Sequence, residues 1–101
     1  MPTPLTLAAF QKLIRDRYYP TDSARGTPGT FMWFMEEIGE LATALQTNAP
    51  DKKPTVAERA NLDEEFADVL AWLTTLANIN GVDLEHACRK YTERGVEGVK
   101  D

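Results

Sequence analysis

Apolar residues recur at helical spacing in two long stretches of this sequence, and this periodicity strongly favours a bundle of α-helices. The first stretch covers about residues 30–47, and its apolar positions are Phe31, Phe34, Met35, Ile38, Leu41, Ala42 and Leu45. The second covers about residues 56–80, and its apolar positions are Leu62, Phe66, Val69, Leu73 and Leu76. Each stripe would bury one face of a helix against a neighbour. Because no segment shows the alternation of a β-strand, the sequence predicts an all-α fold.

Turn and capping residues divide the chain into four predicted helices, at about residues 6–19, 30–47, 56–80 and 83–94. Pro20 should end the first helix, and the Pro- and Gly-containing residues 20–29 predict a loop. Thr55 and Glu58 have the spacing of a capping box at the start of the third helix. The short connection between the second and third helices predicts that these two pack as antiparallel neighbours. We expect the tail, residues 95–101, to be frayed.

Length and charge limit the classes of protein to which the chain can belong. At 101 residues it should form a single domain, residues 1–101, whose small core would grow if identical copies associated. The net charge of −5 disfavours binding to a nucleic-acid backbone. No apolar run is long enough to span a bilayer, and the N-terminus lacks the basic region of a signal peptide. With one cysteine, Cys88, the sequence predicts a cytoplasmic protein.

Two pairs of acids stand out because each has the spacing that places both members on one helical face. Glu37 and Glu40 lie on the second predicted helix, and Glu65 and Asp68 lie on the third. Antiparallel packing would bring Glu40 level with Glu65 and Glu37 level with Asp68. Four carboxylates this close repel one another, and a hard cation such as Mg²⁺ or Mn²⁺ would relieve the repulsion. The alternative is that these acids form ordinary solvated helix faces.

Two tryptophans accompany the acids. Trp33 and Trp72 each lie one helical turn from an acid, on the same face, and the antiparallel register would bring them together. They could sandwich or abut a nucleobase, or they could pack in an interface between chains. Arg25, within the predicted loop, is either a phosphate contact or a solvated loop arginine.

The acid motifs and the residues around them resemble those of the MazG-like all-α nucleotide pyrophosphohydrolases. The family pattern is Glu-Glu-x-x-Glu followed, after a variable gap, by Glu-x-x-Asp. In this sequence the pattern is met by Glu36, Glu37, Glu40, Glu65 and Asp68. The resemblance extends over about residues 6–94 and includes Ala77 to Glu85, so it covers nearly the whole chain.

The resemblance implies a four-helix bundle that is completed by oligomerisation, as a homodimer or a homotetramer with sites near the subunit interfaces. It implies Mg²⁺-dependent hydrolysis of a nucleoside triphosphate between the α and β phosphates, in the house-cleaning of nucleotide pools. The metal ligands would be Glu37, Glu40, Glu65 and Asp68. Either Glu36 or Glu37 would orient or deprotonate the attacking water.

On the fourth predicted helix, Lys90 and Arg94 are one turn apart and could bind the leaving pyrophosphate. Relatives often have an Asn between such a Lys and Arg, and this sequence lacks it, so both residues could instead be ordinary surface residues. Two other functions remain open. One is that of the related phosphoribosyl-ATP pyrophosphohydrolases, and the other is that of a non-catalytic helical module for oligomerisation or nucleotide binding. The intact set of acids argues against the second.

Overall fold

Two long helices packed against each other form the body of the protein in this computed structural model, which describes residues 4–93. Helix α1 is Leu7–Thr47, helix α2 is Val56–Ile79, and a short helix α3, Leu84–Cys88, continues into a 3-10 turn at Arg89–Tyr91. The described part of the chain contains no β-strand. The prediction of an all-α fold is therefore confirmed.

Helix α1 is interrupted at one residue, Gly26, which divides it into an N-terminal segment (7–25) and a C-terminal segment (27–47). Gly26 has φ 76° and ψ 177°, a combination that is essentially restricted to glycine. The prediction of a loop over residues 20–29 is therefore wrong, since within that range Gly26 alone leaves helical geometry. Pro28 lies in the first turn after the break. Backbone N–H groups in a first turn have no intrahelical partner, so the N–H that proline lacks is not missed there.

The N-terminal segment of α1 continues through Pro20 because its last turn is anchored by tertiary contacts. Asp22 is buried, and its carboxylate accepts a hydrogen bond from the hydroxyl of Thr75 on α2 at 3.2 Å. The buried Asp22 also forms an ion pair with Arg25, one turn later in the same segment. These contacts hold the turn that the proline would otherwise disfavour.

The C-terminal segment of α1 and helix α2 are antiparallel neighbours joined by a short polar connection. Asn48, at the end of α1, donates to the carbonyl of Ala44 at 2.8 Å and to that of Glu58 at 3.2 Å, which ties the end of α1 to the start of α2. The capping box is present: Thr55 Oγ1 accepts from the N–H of Glu58, and the Glu58 carboxylate accepts from the N–H of Thr55.

Helix α3 is much shorter than the predicted fourth helix at 83–94, and residues 4–93 therefore contain three α-helices where four were predicted. It packs near the start of α1, where Gln11 accepts from the N–H of Leu84 at 2.9 Å and donates to the carbonyl of Val82 at 2.6 Å. Tyr91, the last apolar position of the predicted fourth helix, is exposed. There is therefore little packing to stabilise a longer helix. The predicted end of that helix, at Arg94, and the tail at 95–101 lie outside the described residues.

A single chain buries few of its apolar residues. In the described range the buried apolar side chains are those of Ile14, Ala44, Leu62 and Ala77. By contrast, large apolar residues of both long helices are 40–54% exposed, namely Phe31, Met35, Leu45, Phe66, Leu70 and Leu73. No helix within residues 4–93 combines the length and hydrophobicity needed to cross a membrane.

Candidate active site

Three carboxylates from the two long helices converge at one place. Glu37 comes from the C-terminal segment of α1, and Glu65 and Asp68 lie one turn apart on α2. One oxygen from each can be chosen so that all three lie within 4.8 Å of one another. We call these three residues the carboxylate cluster. The cluster forms because both helices place acids on the faces that they turn toward each other.

Two further acids predicted to belong to the site lie at its margin. Glu40 is exposed, but its carboxylate is close enough to Glu37 and Glu65 to raise the pKa of both. Glu36 is also exposed and lies outside the carboxylate cluster. Of the five acids in the motif, three therefore meet directly, and Glu40 interacts with two of them.

The pKa of Glu37 is raised to about 7. Burial is the largest cause, followed by the close approach of the Glu40 carboxyl and by the negative charges of Glu40, Asp68 and Glu65. Burial also raises the pKa of Glu65, and the charges of Glu40 and Asp68 are the next largest causes. Holding these acids together therefore destabilises the folded chain, and the destabilisation increases as the acids lose their protons.

The carboxylate cluster has the properties of a site for a divalent cation. Glu37 Oε2 and Glu65 Oε2 are buried, and neither has a hydrogen-bond partner in the described part of the chain. Buried oxygens of this kind are costly unless a proton or a cation compensates them. Because the cluster offers only carboxylate oxygens, its chemistry suits Mg²⁺ or Mn²⁺.

Trp33 and Trp72 stack on each other beside the carboxylate cluster. Their ring centroids are 6.1 Å apart, and the ring planes are inclined by 15°. A base between the two indoles would need about 7–8 Å, because each of the two carbon contacts takes about 3.5–4.0 Å. A sandwich is therefore excluded in this conformation, and a base can only abut the pair. About half of the Trp33 surface is exposed and available for such a contact.

Arg25 is not a solvated loop residue. Its guanidinium donates to Asp22 Oδ1 at 2.7 Å and to Thr30 Oγ1 at 3.0 Å, and it lies 4.9 Å from the centre of the Trp72 ring. The sequence contained a signal for this arrangement, since Asp22-x-x-Arg25 has the spacing of an ion pair on a helix. Because residues 20–29 were predicted to form a loop, this helical spacing was not recognised.

A cavity of about 290 Å³ adjoins Trp72 and Arg25, between the N-terminal segment of α1 and helix α2. Its walls combine aromatic, aliphatic and polar side chains, contributed by Ile14, Tyr18, Thr21, Asp22, Arg25, Ala71, Trp72 and Thr75. Trp72 therefore contacts Trp33, Arg25 and this cavity.

Lys90 does not join the carboxylate cluster within one chain. It lies in the 3-10 turn after α3, with its ammonium group 5.6 Å from the ring centre of Tyr91. Helix α3 packs near the start of α1 and beyond the end of α2, and about 16 Å of α2 separates Asp68 from Ile79. Arg94 lies outside the described residues.

These features define a class of protein: an all-α chain with an acidic, cation-compatible site between two antiparallel helices. The family model of the MazG nucleotide pyrophosphohydrolase domain matches residues 27–97, well over half of the chain. The chain belongs to this family, which confirms the resemblance inferred from the sequence. The match begins just after the break at Gly26, so Asp22 and Arg25 lie outside it.

The chain is also similar to the uncharacterized protein YvdC of Bacillus subtilis (strain 168). The two sequences are 33% identical over 69 residues, which cover 61% of this chain and 65% of YvdC. The similarity therefore spans a little less than two thirds of that relative.

Proposed function

We propose that this protein is a nucleoside triphosphate pyrophosphohydrolase that depends on a divalent cation. Its reaction would be hydrolysis of a ribo- or deoxyribonucleoside triphosphate between the α and β phosphates, which yields the monophosphate and pyrophosphate. The observation that supports this most directly is the carboxylate cluster, with two buried oxygens that lack partners in residues 4–93. Membership of the MazG family agrees with this chemistry.

In this proposal Glu37, Glu65 and Asp68 hold Mg²⁺, or Mn²⁺ in its place, together with Glu40. When bound, the cation would offset the negative charge that develops on the phosphate oxygens and make a bound water more acidic. The four acids contribute ligand oxygens and, through their rigid helices, fix where the triphosphate can lie.

The attacking water requires a carboxylate that orients it or accepts its proton. Glu36 and Glu37 are the two candidates from the sequence. Glu37 is the better placed, because it lies in the carboxylate cluster, whereas Glu36 is exposed and lies outside it.

Substrate contacts outside the cluster are proposed for Trp33 and Trp72, against which the base would lie. Lys90 would contact the leaving pyrophosphate if a second copy of the chain brought it to the site, and the same contact is proposed for Arg94. The exposed apolar residues of α1 and α2 favour such an association, as a homodimer or a homotetramer that completes the helical bundle. We further propose a cytoplasmic enzyme that removes unwanted nucleotides.

The proposal is tested with a panel of common and modified nucleoside triphosphates and Mg²⁺, with products separated by ion-exchange chromatography. We expect monophosphate and pyrophosphate, and not diphosphate and phosphate. Glu65→Gln should abolish turnover, whereas Asp63→Asn, which removes one charge from an exposed position of the same helix, should not. Hydrolysis of phosphoribosyl-ATP alone would support the alternative enzyme, and nucleotide binding without any product would support the non-catalytic module.

A further inference from the structure

A buried ion pair links the break in α1 to the tryptophan pair. Asp22 is 5% exposed, and its two carboxylate oxygens are both engaged, one by Arg25 and the other by the hydroxyl of Thr75. The Arg25 side chain is 23% exposed. A charge pair with this little solvent access is held in a defined geometry, unlike a pair on an open surface.

The guanidinium of Arg25 is fixed from three directions. Asp22 binds one terminal nitrogen, and the fully buried Thr30 accepts from Nε. The central carbon of the group then lies over the Trp72 ring, at 4.9 Å from its centre. Because Asp22 precedes Gly26 and Thr30 follows it, Arg25 spans the break in α1 and also contacts α2 through Trp72.

Trp72 connects Arg25 to the candidate active site. It stacks on Trp33, and it lies one turn after Asp68 of the carboxylate cluster. A planar cation over an indole restricts how the ring can tilt, and a cation–π contact that is shielded from solvent strengthens this restriction. The contacts therefore run from Asp22 through Arg25 to the ring that would meet the base.

We propose that Arg25 is a positioning residue that sets the orientation of Trp72, and thereby the affinity of the site for its nucleotide. The effect on the reaction rests on the function proposed above. The effect on Trp72 does not, because it concerns the ring and its contacts in the protein without substrate.

Two substitutions disturb Arg25 in different ways. Arg25→Lys keeps a cation for Asp22 but removes the planar group that donates to Thr30 and lies on Trp72. Gly29→Ala keeps the arginine but adds a Cβ that would lie 2.9 Å from Arg25 Cγ. The Arg25 side chain must therefore shift. The matched control is Gly39→Ala in the same segment of α1, where an added Cβ meets no described atom within 4 Å.

The chain has two tryptophans, so a Trp33→Phe background leaves Trp72 as the sole indole fluorophore. In this background we expect Arg25→Lys and Gly29→Ala to increase quenching of Trp72 by acrylamide, while Gly39→Ala leaves it unchanged. In chains that retain Trp33, the first two substitutions should weaken the near-UV circular dichroism of the tryptophan pair. Far-UV spectra check that each variant is folded.

Steady-state kinetics test whether Arg25 affects the affinity of the site for its nucleotide. We expect Arg25→Lys and Gly29→Ala to raise KM about threefold to tenfold, with kcat unchanged, because a Trp72 ring that is free to tilt must be ordered when the base binds. The exposed Arg15, whose guanidinium lies 5.3 Å from the Tyr19 ring, provides a control as Arg15→Lys. That variant should change neither KM nor the tryptophan signals.

A purely structural role for Arg25 predicts a different result. Folded Arg25→Lys and Gly29→Ala variants would then melt at lower temperature but keep the quenching and the near-UV signal of the native protein, and this would overturn the proposal. If Arg25→Lys fails to fold, the double variant Asp22→Asn/Arg25→Met removes both buried charges and takes its place. A protein without pyrophosphohydrolase activity would refute the proposed function, while the spectroscopic comparison would still decide whether Arg25 orients Trp72.

Discussion

Glu37 and Glu65 face each other from antiparallel helices, and each has a buried carboxylate oxygen that no group in residues 4–93 binds. Burial and neighbouring charges raise the pKa of both. A structural helix interface would gain nothing from this arrangement, because buried carboxylates are among the most costly groups to desolvate. The arrangement becomes favourable when a cation is bound, and the first four predictions rest on this difference.

Removal of one cluster carboxylate should abolish turnover without unfolding the protein. We expect Glu65→Gln and Asp68→Asn each to lower kcat at least about 100-fold, because a divalent cation contributes several kcal/mol to such reactions. Steady-state rates of pyrophosphate release measure this, and far-UV circular dichroism checks the fold. Asp63→Asn should retain native rates. A Glu65→Gln variant as active as the native protein would exclude the cluster from the mechanism.

Glu37→Gln should stabilise the metal-free protein, in contrast to most substitutions of buried residues. At pH 8 the native Glu37 is ionised against burial and three neighbouring acids, and the amide removes that cost. We expect a gain of about 1–3 kcal/mol in the free energy of unfolding, the order of the ionisation cost that the raised pKa of Glu37 implies. Urea unfolding in EDTA measures it. The same variant should lose the stabilisation that Mg²⁺ gives the native protein.

The stability of the metal-free protein should fall as the pH rises from about 4.3, where glutamate titrates in an unfolded chain, to about 7, where Glu37 titrates in the folded one. Between these values the folded state binds more protons than the unfolded state, so the free energy of unfolding has a negative slope against pH. The contribution of Glu37 is fully present below this window and is lost above it. Melting temperatures measured in EDTA across the range test this.

Mg²⁺ should restore the stability that the metal-free protein loses as the pH rises. Because the cation needs ionised carboxylates, the increase in melting temperature on adding Mg²⁺ should be larger at pH 8 than at pH 5.5. Glu37→Gln supplies the control, since it should weaken the dependence of Mg²⁺ stabilisation on pH. An equal increase at both pH values would mean that the ion binds elsewhere.

Association between copies can be tested at the exposed face of α2. Phe66, Leu70 and Leu73 lie on one side of that helix and are 40–54% exposed in a single chain. We expect Phe66→Glu to convert an oligomer into monomers, as measured by light scattering after size exclusion. Val56→Glu, at the 90%-exposed first residue of α2, is the control and should leave the assembly unchanged. A native protein that is monomeric at high concentration would contradict the proposed oligomer.

The register between the two long helices could be predicted from the sequence because it depends on simple geometry. A short connection makes the helices antiparallel, and helical spacing then pairs Trp33 with Trp72 and Glu37 with Asp68. The structure brings both pairs together. The acid motifs were therefore informative even though each acid pair is unremarkable when considered alone.

The path of the chain before Gly26 could not be predicted in the same way. Pro20 and the glycines are local signals for a loop, whereas the helix continues because Asp22 contacts Thr75, 53 residues later in the sequence. Local propensity gives no information about such a contact. For the same reason the sequence left open whether Arg25 was a phosphate contact or a solvated residue, and its contact with Trp72 emerged only from the structure.

The break in α1 gives a last prediction, because it depends on a backbone conformation that one residue can adopt. With φ 76° and ψ 177°, Gly26 lies in a region where a side chain is strained, although an added Cβ would meet only Pro28 Cδ, at 4.0 Å. Gly26→Ala should therefore lower the free energy of unfolding by about 1–3 kcal/mol. Gly39→Ala, within regular helix, should be neutral or stabilising by up to about 1 kcal/mol. Urea unfolding of the two variants compares them directly. If Gly26→Ala were as stable as the native protein, the chain could form this bend without glycine, and Arg25 would owe its position over Trp72 to its side-chain contacts alone.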